Sequence, residues 1–166
     1  MPEAENLFTA LCKAEVAFVV VGSMAGGAYG SEYAIAKLEI CYQREPLNFE
    51  RLSAALRPFR PRLRGAPADF SFVLDAATIE AGLNFALATE LGDLDLIGEV
   101  AGLGDHEAVM AHSEELELYG YTIRILTLEG LIISKQAAGR PKDLLLLAEL
   151  KALQAVREES DKNGED

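Results

Sequence analysis

The chain has few cysteines, few basic residues and no long apolar run, and each scarcity excludes a class of protein. Its two cysteines, Cys12 and Cys41, have no metal-binding spacing, which favours two small buried side chains in a reduced compartment. No apolar run approaches the ~20 residues that cross a bilayer. The acidic start, MPEAENLFTALCKAE, lacks the basic and apolar regions of a signal peptide. We therefore expect a cytoplasmic protein with no membrane partner.

Basic residues are outnumbered, 15 against 27 acidic ones, which gives a net charge of −12. Such a surface repels phosphate backbones unless its basic residues are clustered. The densest cluster, between Arg51 and Arg64, has the composition of a solvated face. Long nucleic acid is therefore not an expected partner. A nucleotide or another small phosphate ligand stays open, as does a protein partner or a homo-oligomer.

The length of 166 residues and the hydrophobic content of 50% are enough for one core, so we predict a single domain over residues 1–156. The order of elements predicts an α+β fold with a small mixed sheet of about five strands, flanking helices and a C-terminal helical pair. Asn48 is expected to cap a helix over residues 49–57, and residues 58–71 to be irregular. Residues 157–166 are predicted to be a polar, disordered tail.

Residues 18–42, FVVVGSMAGGAYGSEYAIAKLEICY, predict a buried strand, a turn at Gly22 and Ser23, a small-residue helix and a second strand. A helix N-terminus after such a turn offers free backbone N–H groups to a phosphate. Alternation along the second strand places Lys37 and Glu39 on one face, opposite the apolar side chains. We therefore expect Lys37 and Glu39 to point toward the turn at Gly22.

Asp93 and Asp95 repeat this two-residue spacing in the segment LGDLDLIGEV, between apolar neighbours. Two strands with ionisable groups on one face can converge on a site, and we expect Lys37, Glu39 and Asp95 to meet beside the amides after Val21. The alternative is that each strand has its polar face in water. His106 and His112 have no metal-ligand spacing and are expected to be packing residues.

Three segments carry a family resemblance. VVVGSMAGGAYGS resembles the Gly-Ser segment of the nucleotidyltransferase fold family (the DNA polymerase beta superfamily), as found in predicted bacterial nucleotidyltransferases of the minimal and abortive-infection toxin types. GLNFALATELGDLDLIGEVAG resembles the strand pair that carries the third carboxylate of that family, here Asp95, with Asp93 second. LEGLIISKQAAGRPKDLLLLAEL resembles its C-terminal helical motif, and the likeness covers roughly residues 16–155.

The resemblance implies a nucleotidyltransferase-like fold and transfer of a nucleotide from a nucleoside triphosphate to an unknown acceptor with Mg²⁺. It also implies a phosphate turn at Gly22 and Ser23. Basic residues near the ligand's phosphates would be Lys135, Arg140 and Lys142.

Where the family carries Asp-x-Asp, this chain has Lys37 and Glu39, a degenerate pair. An ammonium cannot ligate a metal, and at ~4 Å and an effective dielectric near 20 it repels a divalent ion by about 8 kcal/mol. Glu39 and Asp95 remain as candidate metal ligands, and the candidate catalytic residues are Glu39, Asp95, Asp93 and Lys37. Two functions stay open: an impaired nucleotidyltransferase, or an inactive nucleotide-binding or regulatory module, such as a toxin–antitoxin-like partner. In either case Lys37 could replace the metal electrostatically.

Overall fold

The structure is a computed structural model that describes residues 2–33, 35 and 37–164. Over those residues the chain forms seven α-helices, seven strands and one 3₁₀ turn. The strands are β1 (Phe18–Val21), β2 (Leu38–Tyr42), β3 (Arg62–Leu63), β4 (Phe85–Thr89), β5 (Gly92–Ile97), β6 (Ser113–Leu118) and β7 (Tyr121–Leu126). The helices are α1 (Pro2–Lys13), α2 (Gly22–Ala28), α3 (Pro46–Leu56), α4 (Ala76–Ala81), α5 (His106–Ala111), α6 (Leu128–Ala138) and α7 (Pro141–Asn163).

The strands form one mixed sheet in the order β3-β4-β5-β2-β1-β7-β6. β1 runs antiparallel to β2 and parallel to β7, and β2 runs parallel to β5. β4–β5 and β6–β7 are antiparallel hairpins. The predicted α+β class with its C-terminal helical pair is therefore confirmed, but the sheet has seven strands rather than about five. β3 lies in the segment that was predicted to be irregular. A strand of two residues is too short to show an alternation of apolar and polar side chains, so the sequence does not indicate it.

The centre of the sheet is buried on both faces, which follows from the apolar composition of β1 and β2. Val19, Val20, Ile40 and Cys41 are at most 1% exposed. Both cysteines are free thiols, and burial raises their pKa values, that of Cys41 to about 12. Cys41 is buried as the sequence predicts, whereas Cys12 is only partly buried against the core.

The predicted helix cap at Asn48 is wrong. Helix α3 begins at Pro46, whose fixed φ suits the first helical position, and Asn48 lies inside the first turn with 2% of its surface exposed. Its Oδ1 accepts a hydrogen bond from Ala17 N (2.8 Å), and its Nδ2 donates to the carbonyls of Ala17 (3.1 Å) and Gln43 (2.8 Å). Asn48 therefore joins α3 to the start of β1 and the end of β2.

The C-terminal pair turns at Gly139, which has a left-handed φ of 64°, and α7 begins at Pro141. A disordered tail is predicted from residue 157, whereas α7 continues to Asn163. The Glu, Arg and Lys residues of this stretch favour helix, and Arg157 also stacks on the ring of Tyr29, 5.0 Å from its centroid. The described residues after Arg157 are exposed. Residues 165 and 166 of the predicted tail lie outside the described part of the chain. None of the helices described above is both long and apolar enough to span a membrane.

Candidate functional site

The two strands with charged residues are parallel neighbours, and Glu39 lies directly opposite Asp95 in their register. Lys37, one residue before β2, places its Nζ 2.8 Å from Asp95 Oδ2. The predicted meeting of residues 37, 39 and 95 is therefore confirmed, because a parallel pairing brings residues of the same face together. The roles of these residues stay predictions.

The turn after β1 holds the Glu39 carboxylate. Val21 pairs with Glu39 in the sheet, and the amide of Ser23 donates to Glu39 Oε2 over 3.3 Å. Gly22 has a left-handed φ of 68°, and a Cβ at this position would lie 1.7 Å from Glu39 Oε2. Only glycine lets the carboxylate approach so closely. Glu39 therefore occupies the side of the turn where the sequence predicts a phosphate.

Arg64, which sequence reasoning assigned to a solvated face, belongs to this site. Its Nη2 donates to Asp95 Oδ1 over 2.5 Å, and its Nη1 lies 3.8 Å from Asp93 Oδ2. The same Nη1 donates to the carbonyl of Leu87 (3.0 Å), which orients the guanidinium. No local pattern marks Arg64, because its contacts depend on the pairing of β3 with β4. Asp95 is thus bound by a cation on each oxygen.

At the corner between α6 and α7, the buried carboxylate of Asp143 pairs with two cationic side chains. Asp143, 2% exposed, accepts hydrogen bonds from Arg140 N (3.2 Å) and Arg140 Nε (2.6 Å). Lys135 Nζ lies 3.6 Å from its other oxygen. The Arg140 hydrogen bonds, followed by the charge of Lys135, lower the pKa of Asp143 despite its burial. Asp143 therefore fixes the side chains of Lys135 and Arg140 at this corner.

A cleft of about 430 Å³ lies between this corner and the two charged strands. The charged and polar residues that line it are Lys37, Glu39, Asn84, Asp95, Arg140 and Lys142. A smaller hollow of about 130 Å³ adjoins it across Glu39 and Arg140 and reaches Gly22 and Lys135. The sequence-predicted residues thus converge, with two qualifications: Asp93 is connected through Arg64, and Ser23 contributes its backbone amide.

The side chains that line the cleft do not supply the oxygen ligands that a pair of Mg²⁺ ions requires. Both oxygens of Asp95 are engaged by cations, and Lys37 lies where a further carboxylate is needed. Within residues 2–33, 35 and 37–164, no three His, Cys, Asp or Glu side chains are grouped so as to hold a metal ion. The arrangement favours cationic side chains over a metal, and metal ligation by Glu39 and Asp95 stays a prediction.

Comparisons with known proteins agree with this fold. The chain matches no protein-family model and no curated protein. Among solved structures it is similar to the crystal structure of a "putative nucleotidyltransferase (TM1012) from Thermotoga maritima", with a TM-score of 0.51 and 15% sequence identity. The alignment covers 94% of this chain and 89% of that chain. At this identity the likeness concerns the fold, which is nucleotidyltransferase-like.

Proposed function

We propose, on the premise of a nucleotidyltransferase-like fold, that this protein binds a nucleotide through cationic side chains and does not perform two-metal nucleotide transfer. The observation that carries the proposal is the 2.8 Å ion pair between Lys37 and Asp95, with Arg64 on the other Asp95 oxygen. A divalent ion at Asp95 has to displace both cations. Their attraction to the carboxylate and their repulsion of the ion both oppose that exchange.

The cationic wall of the cleft supports a phosphate-bearing ligand. Lys37 is 35% exposed and Arg140 58% exposed in their side chains, and Lys142 is also exposed. These three cations outnumber the two carboxylates of the cleft wall, although the whole chain has a net charge of −12. Ammonium and guanidinium groups bind phosphate oxygens by charge-assisted hydrogen bonds. The cleft wall thus presents cations to a small polyphosphate, although Arg140 is also held by Asp143 and Lys37 by Asp95.

A second candidate is nucleotide transfer itself, from a nucleoside triphosphate to an unknown acceptor. The description of the similar Thermotoga protein favours it. In this case Glu39, Asp95 and Asp93 would bind Mg²⁺. Lys37 and Arg64 would first have to leave Asp95, which costs the attraction between these two cations and the carboxylate. A regulatory role beside a protein partner, of the toxin–antitoxin kind, is compatible with binding alone.

Calorimetry with ATP, in EDTA and again in excess Mg²⁺, tests the proposal. We expect the two dissociation constants to agree within about threefold, since cationic side chains neutralise the phosphates. Lys142→Ala should weaken binding about tenfold through the loss of one charge-assisted contact. Lys151→Ala is the matched control, because Lys151 is exposed on the same helix and lines neither the cleft nor the adjoining hollow.

Two results would favour nucleotide transfer over metal-independent binding. One is binding that requires Mg²⁺, and the other is transfer of label from a labelled nucleoside triphosphate to lysate RNA or protein. Absence of binding for both ATP and inorganic pyrophosphate would refute both.

A further inference from the structure

A second pocket opens at the other end of β1 and is separate from the cleft. It encloses about 400 Å³, within the usual range for small-molecule sites, and we call it the β1-start pocket. It is lined by residues that include Cys12, Val16, Phe18, His106, Met110 and Arg124. Phe18 begins β1, whereas Gly22 follows its end, so the two sites are about 13 Å apart along the strand.

The floor of the β1-start pocket is apolar. Val16 and Ile123 are buried in the core, and Phe18 and Met110 pack against the core with part of their surface still exposed. An apolar ligand body would cover that remaining surface and remove it from water. The pocket therefore favours an occupant with a hydrocarbon or aromatic portion.

One cationic side chain, that of Arg124, lines the β1-start pocket. Arg124 donates from Nε to Ser113 Oγ (3.0 Å) and from Nη1 to Glu115 Oε1 (3.4 Å), so its guanidinium is held in place. Its Nη2 makes no hydrogen bond to any other residue that the structure describes. A held guanidinium with a free N–H matches a planar carboxylate. A phosphate dianion fits less well, because the Glu115 carboxylate lies beside this single cation.

His106 is a second polar group of the same pocket. Its Nε2 is shielded from water and has no hydrogen-bond partner in the described part of the chain. Such a group is uncommon in folded proteins and calls for a partner. Burial also lowers the pKa of His106, so the ring is neutral near pH 7 and adds no charge to the pocket.

We propose that the β1-start pocket binds a small monocarboxylate with an apolar body, with the carboxylate on Arg124 and the body against Phe18 and Met110. This inference stands on the pocket alone and does not depend on the function proposed for the cleft.

The test compares phenylacetate with phenylacetamide, which has the same shape and no charge, by calorimetry and by amide chemical shifts. Phenylacetate should bind one-to-one, at least tenfold more tightly than phenylacetamide, and move the amide signals around Phe18, Met110 and Arg124. Arg124→Gln should abolish the preference between the two compounds. Arg60→Gln is the matched control, because Arg60 is exposed and paired with Glu90 away from this pocket.

The proposal would be overturned by no binding of phenylacetate, by equal affinity for acid and amide, or by the wild-type preference retained in Arg124→Gln. Shifts confined to Lys37 and Lys142 would also overturn it, because the carboxylate would then occupy the cleft. A second variant, Met110→Trp, should block phenylacetate by filling the pocket, while its circular dichroism spectrum and urea midpoint stay near the wild-type values and report that the fold is intact.

Discussion

At the scale of single residues, the site depends on what stands at positions 37 and 39. Lys37 brings a positive charge to within 2.8 Å of Asp95, and Glu39 reaches back to the Ser23 amide. Strand alternation and the resemblance were enough to predict that these side chains meet. They could not predict Arg64, whose contact with Asp95 spans 31 residues and follows from the pairing of β3.

The double substitution Lys37→Asp, Glu39→Asp should create Mg²⁺ affinity. It removes the repelling ammonium and supplies two short carboxylates beside Asp95. We expect at least a tenfold gain in Mg²⁺ affinity, measured by calorimetry. Lys37→Met is the control, because it removes the charge without adding a ligand, and it should gain much less. If the double variant bound Mg²⁺ no better than Lys37→Met, the scaffold would lack the geometry of a metal site.

At the scale of elements, Asn48 decides how α3 is attached to the sheet. The sequence marks it as a helix cap, since Asn is a preferred capping residue. Proline at position 46 starts the helix earlier, and the side chain is then free to bond three backbone groups of the strands. The tertiary neighbours of Asn48, and not its local preference for the capping position, decide its role.

Asn48→Ala should lower the free energy of unfolding by about 1–3 kcal/mol, because the part-buried N–H of Ala17 and C=O of Gln43 lose their Asn48 partner. Asn48→Asp should not restore stability at pH 7, since a carboxylate cannot donate to the two carbonyls. Urea unfolding measures both, with the exposed Asn163→Ala as a control expected within about 0.5 kcal/mol of wild type. A loss below 0.5 kcal/mol for Asn48→Ala would contradict the structural role assigned here.

At the scale of the whole molecule, several of the few basic side chains of this acidic chain are paired with two carboxylates, Asp143 and Asp95. The net charge is −12, yet Lys135 and Arg140 converge on Asp143, and Lys37 and Arg64 on Asp95. The buried Asp143 has a pKa below its unfolded value, chiefly through Arg140. It therefore stabilises the fold above the unfolded pKa, about 4, and this contribution is lost as the pH falls through the folded pKa.

Asp143→Asn should cost about 1–3 kcal/mol at pH 7, less than a fully buried pair because Arg140 is half exposed. Its free energy of unfolding should fall less steeply than that of wild type between about pH 5 and pH 3, because the titrating group is gone. Urea midpoints across this range measure the slope. Asp161→Asn, exposed near the end of α7, should keep the wild-type slope. Identical slopes for Asp143→Asn and wild type would exclude this linkage.

The sequence by itself determined the α+β class, the C-terminal helical pair, the small-residue turn at Gly22 and the shared face of Lys37 and Glu39. These follow from local periodicity and backbone preferences, which act over a few residues. Only the tertiary structure decided that Arg64 binds Asp95, that Asn48 joins α3 to the sheet and that a second pocket opens at the start of β1. Such contacts join residues far apart in the chain, and their energies depend on the register of the sheet and on burial, which no short segment encodes.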